Sequence, residues 1–167
     1  SLSMAKELTL SFDDGLNPEL NTKAIMINHT LLQQLALKDV KVIIYPSLIK
    51  TGQAEGLALI ADWGKQGHKI GNHSDLHLSL NKDDVTLDTY IQSIENADKI
   101  YSQLEGWTPR YRFPYLKEGN TIEKRDGVRK WLSDHKYKAG DVSIDASDWY
   151  YNQLYLKYEN NNDHESI

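Results

Sequence analysis

The feature that most constrains this chain is a five-fold alternation of short apolar runs with segments of helical periodicity. The apolar runs are Glu7–Phe12, Val40–Tyr45, His68–Gly71, Arg110–Tyr115 and Tyr137–Ala146, the last built around Val142-Ser143-Ile144. The segments that follow them are Asn21–Leu37, Ala54–Lys65, Val85–Leu104, Glu123–His135 and Tyr150–Tyr158. Val85–Leu104 is the most regular, with Leu87, Ile91, Ile94, Ala97, Tyr101 and Leu104 on one helical face. Asp13-Asp14-Gly15 ends the first run as a turn, Pro46 stops the second, and Gly67 is predicted to cap the second helix. Strands separated by helices of this length cannot close as hairpins, so they pair in parallel with the helices as crossovers. The prediction is an α/β fold, a parallel sheet or barrel with helices outside, whose chemistry gathers at the C-terminal ends of the strands.

Those predicted strand ends carry Asp13-Asp14, Pro46, Asn72-His73, Pro114-Tyr115 and Asp145–Trp149. Composition narrows what they can do. The chain has no cysteine, so disulfides, thiolate metal sites and cysteine nucleophiles are excluded, and any metal must be held by histidine and carboxylate. With 19 Lys+Arg against 24 Asp+Glu the net charge is −5, which argues against a nucleic-acid or anionic-membrane partner. The mean hydropathy of −0.60 accompanies the absence of any apolar run long enough to cross a membrane. At 167 residues the length fits one domain.

Four constellations carry chemistry. His73-Ser74-Asp75-Leu76-His77 spaces two imidazoles at i and i+4, which on a helical turn would share one metal; the plainer reading is a pair of surface or capping histidines. Asp13-Asp14 offers one carboxylate as a ligand and another as a base, or merely a solvated turn before Gly15. Arg112-Phe113-Pro114-Tyr115 places a fixed cation and a rigid turn at a strand end, or a surface ion pair. Asp145-Ala146-Ser147-Asp148-Trp149 offers two acids and an aromatic wall, or a capped helix start with a core tryptophan. His29, His68 and His135 read as structural histidines rather than ligands.

Taken together and in order, SFDDG, HSDLH, RFPY and DASDW resemble the first four motifs of the polysaccharide deacetylases, carbohydrate esterase family 4, the NodB-homology domain. Gly67-His68-Lys69-Ile70-Gly71-Asn72-His73 is similar to that family's run leading into its metal histidines. The resemblance spans Glu7 to Trp149 and implies a distorted (β/α) barrel of about seven strands. It implies that Asp14, His73 and His77 bind one divalent ion, Zn²⁺ first and Co²⁺ or Ni²⁺ as alternatives, a set whose donor types suit such a metal. It further implies that Asp13 is the catalytic base, that Arg112 orients Asp13 and keeps it ionised, and that the Tyr115 backbone N–H faces the oxyanion. Pro114 and Trp149 would line the substrate pocket, and Asp148 would orient a later histidine. The implied substrate is an N- or O-acetylated oligo- or polysaccharide, chitin-, peptidoglycan- or xylan-like.

The sequence departs from the pattern in three places. Ser11 stands where threonine is usual, Leu16 follows Gly15 where proline is frequent, and no apolar strand ending in a general-acid histidine follows Trp149. His164 is the sole later histidine, and it lies in the polar stretch Glu159–Ile167. The expectation is therefore a deacetylase domain over residues 6–158, incomplete at its C-terminus, flanked by a polar tail at 159–167. Residues 1–5 read as a signal-peptide remnant or an expression scar, the former implying export. Two other functions compete: a carbohydrate-binding, catalytically silent domain, and an iron oxygenase using His73, Asp75 and a distant His135 as a facial triad. The strand–helix alternation opposes the last.

Overall fold

The computed structural model describes residues 9–147 and Gln153. Its elements run β1 (Ser11–Asp14), α1 (Ala24–Leu37), β2 (Ile43–Pro46), α2 (Leu48–Thr51), α3 (Ala54–Lys65), β3 (Lys69–Asn72), α4 (Leu87–Tyr101), β4 (Trp107–Tyr111), α5 (Ile122–Asp134) and β5 (Lys138–Ala139). A 3₁₀ turn, Pro114–Leu116, follows β4. The five strands form one parallel sheet in the order β1-β2-β3-β4-β5. The chain steps across the sheet without reversing, which is the order of a (β/α) barrel wall and not of a doubly wound sheet.

Strand alternation divides side chains between two faces. Phe12, Ile44 and Ile70 face the helices and join Leu32, Leu35, Ile60, Trp63, Ala97 and Tyr101 in one core cluster. Tyr111 joins a second cluster with Leu80, Tyr90, Ile94, Val128 and Leu132 under α4 and α5. Helix starts follow their caps: Thr86 Oγ1 accepts the Thr89 N–H at 3.1 Å ahead of α4, and Thr121 Oγ1 accepts the Lys124 N–H at 3.2 Å ahead of α5. Gly67 closes the segment after α3 at φ +82°, the left-handed position its identity predicts.

Ser11, Asp13, Tyr45 and Arg112 lie on the other face. There Tyr45 is 2% exposed, and glycines clear the space it fills. A Cβ on Gly71 would lie 2.6 Å from the Tyr45 ring, and one on Gly140 would lie 2.7 Å from the Tyr45 hydroxyl.

Two expectations are corrected. The fourth strand is Trp107–Tyr111 rather than Arg110–Tyr115, because Pro114 has no N–H to donate and opens the 3₁₀ turn instead. The fifth is Lys138–Ala139 rather than a run centred on Val142–Ile144. Its ladder with β4 reaches Gly140, whose N–H donates to the Tyr111 carbonyl at 2.7 Å, but the Gly140 carbonyl accepts from Arg112 at 2.7 Å. With pairing ended there, Val142 and Ile144 have no partner strand among the described residues, and Ile144 is 81% exposed. The short helix α2 follows directly after Pro46. The helix predicted over Tyr150–Tyr158 lies, except for Gln153, outside the described residues.

Candidate active site

The C-terminal ends of β1 and β3 bring Asp14, His73 and His77 together, each offering a ligand atom within 4.8 Å of the others. Successive strand residues normally point to opposite faces, yet Asp13 and Asp14 both serve this end of the sheet. The reason is backbone: Asp14 adopts φ +72°, a left-handed turn that swings its carboxylate away from the alternation.

HSDLH is not a helical turn. It is a loop with two left-handed residues, Ser74 (φ +67°) and His77 (φ +52°), and it converges by local hydrogen bonds. The His77 N–H donates to Ser74 Oγ at 3.1 Å, and the Ser74 N–H donates to Asn72 Oδ1 at 2.7 Å. Asp75 ties the loop to α4. Its carboxylate accepts from Ser93 Oγ and, at 2.8 Å, from Asn96 Nδ2, while its N–H donates to the Ser93 carbonyl at 3.0 Å. Asp75 is thus committed to α4, and His135 stacks on Trp131 at 3.8 Å between ring centroids, so the facial triad of the oxygenase reading is not assembled.

The donor set suits a divalent cation. A carbonyl can only accept, so the 2.7 Å contact between His73 Nδ1 and the Arg112 carbonyl requires the proton on Nδ1, leaving a lone pair on Nε2. That Nε2 lies 3.6 Å from Asp14 Oδ1, and His77 Nε2 lies 3.0 Å from the same oxygen. Asp14 Oδ1 and His77 Nδ1 are nevertheless buried without a hydrogen-bond partner among the described residues. A buried carboxylate oxygen facing an imidazole lone pair is costly unless a cation lies between them.

The protonation states agree with this. Burial pushes His73 down to about 4, further than its Arg112 hydrogen bond raises it, so the ring is neutral near pH 7. Burial alone would raise Asp14, but the facing His77, then His73 and Lys50, outweigh it and hold the carboxyl below its ordinary value.

Beside this set, Arg112 is 5% exposed and uses its whole fork. Nη1 donates to Asp13 Oδ1 at 2.7 Å, Nη2 to Ser11 Oγ at 3.0 Å and Nε to the Gly140 carbonyl at 2.7 Å. Its Cζ lies 4.2 Å from the centre of the Tyr45 ring. Pro114 is buried at the start of the 3₁₀ turn, and Tyr115 follows at φ +59° with its ring 4.7 Å from that of His77. The turn's own hydrogen bonds run from Leu116 N–H to the Phe113 carbonyl and from Lys117 N–H to that of Pro114, so they do not use the Tyr115 N–H.

Of the residues singled out from sequence, Asp13, Asp14, His73, His77, Arg112, Pro114 and Tyr115 gather at this one end of the sheet. Asp148, Trp149 and His164 lie outside the described residues. His29 and His135 are exposed, and His68 is a core histidine whose Nδ1 accepts the Val42 N–H at 3.3 Å. Sequence reasoning missed Tyr45 and Gly140, whose only signal is the pairing of a large ring with a glycine far along the chain. It also missed the anchoring done by Asn72 and Asp75.

The family model for polysaccharide deacetylase matches residues 3–139. No curated protein matches the chain at a significant level. Solved structures similar in fold include the Bc1960 peptidoglycan N-acetylglucosamine deacetylase, with TM-score 0.61 and 24% identity over 80% of this chain and 55% of that one. The chitin deacetylase of the fungal pathogen Colletotrichum lindemuthianum is similar with TM-score 0.64 and 19% identity over 84% of this chain and 57% of that one. A family 4 esterase pseudoenzyme from Bacillus anthracis is similar with TM-score 0.60 and 17% identity over 78% of this chain and 41% of that one. The chain therefore spans about half the length of these proteins. At these identities the likeness is one of fold, and it is the family model, matched over most of the chain, that places this protein in the polysaccharide deacetylase family, carbohydrate esterase family 4.

Proposed function

We propose that this chain belongs to a metal-dependent hydrolase that removes acetyl groups from an N- or O-acetylated carbohydrate of the chitin, peptidoglycan or xylan kind. The observation that carries the reading is the buried, unpartnered Asp14 Oδ1 facing the imidazoles of His73 and His77 beside the Arg112–Asp13 pair. Asp14, His73 and His77 would hold the ion, which supplies Lewis acidity toward the acetyl carbonyl and lowers the pKa of a nearby water. Zn²⁺ suits two imidazoles and a carboxylate, as do Co²⁺ and Ni²⁺.

The chain's own residues do the rest. Asp13, held by Arg112, takes the proton as water adds to the carbonyl carbon. The Tyr115 N–H donates to the oxygen on which charge develops. By the family resemblance Pro114 would line the pocket for the acetyl group; the same resemblance would give Trp149 a place beside it and Asp148 the orienting of a histidine that returns a proton to the leaving nitrogen or oxygen, both residues lying outside the described ones. Cleavage gives acetate and a free amine or hydroxyl on the sugar. Acetylated glycans of this kind occur in cell walls and outside cells, in keeping with an exported protein.

Metal titration and acetate release from acetylated chitooligosaccharide, peptidoglycan and xylan test the proposal. Stoichiometric binding of a divalent ion, abolished by Asp14→Ala, and acetate from one of the three are the expected results; wild-type protein that binds no metal overturns the ligand assignment. A second reading, a carbohydrate-binding and catalytically silent domain, is favoured by one observation: the only histidines beside Asp14 among the described residues are the two proposed ligands. Saccharide binding without acetate release would decide for it.

A further inference from the structure

The loop that carries both histidines is pinned by a chain of hydrogen bonds that ends at a carboxylate on α4. The Ser74 N–H donates to Asn72 Oδ1 at 2.7 Å. Asn72 is fully buried, and its Nδ2 donates both to the Ile94 carbonyl at 3.0 Å and to the Tyr137 hydroxyl at 3.1 Å. The Tyr137 hydroxyl in turn donates to Asp98 Oδ1.

Only one set of proton positions satisfies this chain. A carboxylate accepts and cannot donate, so Tyr137 must give its proton to Asp98 and offer its lone pair to Asn72. That lone pair, with the Ile94 carbonyl, requires the NH₂ of Asn72 to point toward α4, and so turns its oxygen toward Ser74. Were the amide reversed, the Ser74 N–H would meet an NH₂ group inside the protein, and the left-handed Ser74 conformation would lose its support. Ser74 in turn accepts the His77 N–H, so the orientation passes to the second histidine.

The ring of Tyr137 is clamped where this requires it, 6.1 Å from the Trp107 ring and 5.9 Å from the Trp131 ring between centroids. Burial, then the hydrogen bond to Asp98, raises the phenol well above its usual range, so it keeps its proton.

We infer that Asp98 and Tyr137 are positioning residues for the His73–His77 loop, acting through the carboxamide of Asn72. The inference rests on the proposed ligand role of His73 and His77 for its effect on metal, but the loop geometry can be measured without metal. Loss of a group that hydrogen-bonds a metal ligand directly costs about ten- to a hundredfold in affinity, and residues acting through Asn72 and Ser74 are expected at the lower end of that range.

The test uses the 167-residue chain with Tyr137→Phe and Asp98→Asn. Asn28→Ala is the control, because it too removes a buried side-chain hydrogen bond, the one Asn28 Oδ1 accepts from Trp63 Nε1 at 2.8 Å, and Asn28 touches no part of the loop. In metal-free protein, amide hydrogen exchange at Ser74 and His77 is expected to speed up about tenfold or more in Tyr137→Phe and Asp98→Asn, and Zn²⁺ affinity to fall about tenfold. Asp98→Glu, which keeps the acceptor, is expected to restore part of both. Asn28→Ala is expected to lower the thermal midpoint without either change. Unchanged Ser74 exchange in the folded variants overturns the inference, and so does equal loosening in Asn28→Ala. Wild-type protein that binds no Zn²⁺ refutes the ligand reading alone, and the exchange data then still decide the role of Asp98 and Tyr137.

Discussion

Arg112 Nη1 lies 2.7 Å from Asp13 Oδ1 although 99 residues of chain separate them. The guanidinium is buried over the Tyr45 ring, with its other nitrogens held by Ser11 and Gly140. One side chain therefore fixes the position of the carboxylate, the second strand's aromatic ring and the end of β5.

Replacing Arg112 by lysine keeps the charge and loses the fork. A single ammonium cannot reach Asp13, Ser11 and the Gly140 carbonyl together, and it stacks less well on Tyr45. Arg112→Lys is expected to lower unfolding free energy by about 1.5–3 kcal/mol, the scale of one charged hydrogen bond, in urea denaturation. Zn²⁺ affinity is expected to change less than acetate release, because the His73 contact is to the Arg112 backbone carbonyl.

Adding a divalent ion should stabilise the protein. Ion at a hundred times its dissociation constant contributes about 2.7 kcal/mol by mass action. For a chain of this size that is a rise of roughly 5–10 °C in thermal midpoint. Asp14→Ala should abolish the rise, and a chelator should reverse it in wild type. An Asp14→Ala protein that still gains the full shift would move the metal elsewhere.

The metal-free protein should lose stability on mild acidification. The folded-state value of His73 is pushed below its unfolded value by burial, so between about 6.5 and about 4 the unfolded chain binds a proton that the folded chain does not. Stability is then constant above about pH 7, falls as the pH drops through that window, and has lost on the order of 3 kcal/mol from this group near pH 4. His68, lowered by burial and then by Lys41, adds to the same slope. Chemical denaturation across this range checks the sign, and His73→Asn should flatten part of it.

Gly71→Ala tests the packing beneath the site. The new Cβ would sit 2.6 Å from the Tyr45 ring and 3.0 Å from the Arg110 carbonyl. Overpacking of this kind costs about 1–3 kcal/mol. Moving the ring also disturbs the surface on which Arg112 lies. Tyr45→Leu in the same chain should give back part of the lost stability; no recovery would place the strain at the Arg110 backbone.

Much of the architecture is legible in the sequence because it follows from local rules. The alternation of apolar runs with helical periods dictates parallel pairing. Thr86 and Thr121 set helix starts, and Gly67 ends a helix, each through contacts a few residues long. Asp13, Asp14, His73, His77 and Arg112 stand out as chemistry-bearing because their residue types and order are distinctive. Strand limits near Arg110–Tyr115 and Val142–Ile144 are not legible, because a strand ends where its neighbour stops offering partners, and that is a property of β4 and Arg112 rather than of the run itself.

By itself, then, the sequence determines an α/β chain whose acids and histidines fall at strand ends and carry the motifs of one family. Only the tertiary structure decides how they meet. It turns Asp14 out of alternation by a left-handed residue, and it folds HSDLH as a loop braced by Asn72 and Asp75 instead of a helical turn. It assigns Asp75 to α4, not to a metal. The physical reason is range: periodicity and capping are settled within one or two turns of chain, whereas the direction of a buried polar side chain is settled by whichever distant groups can satisfy its hydrogen bonds.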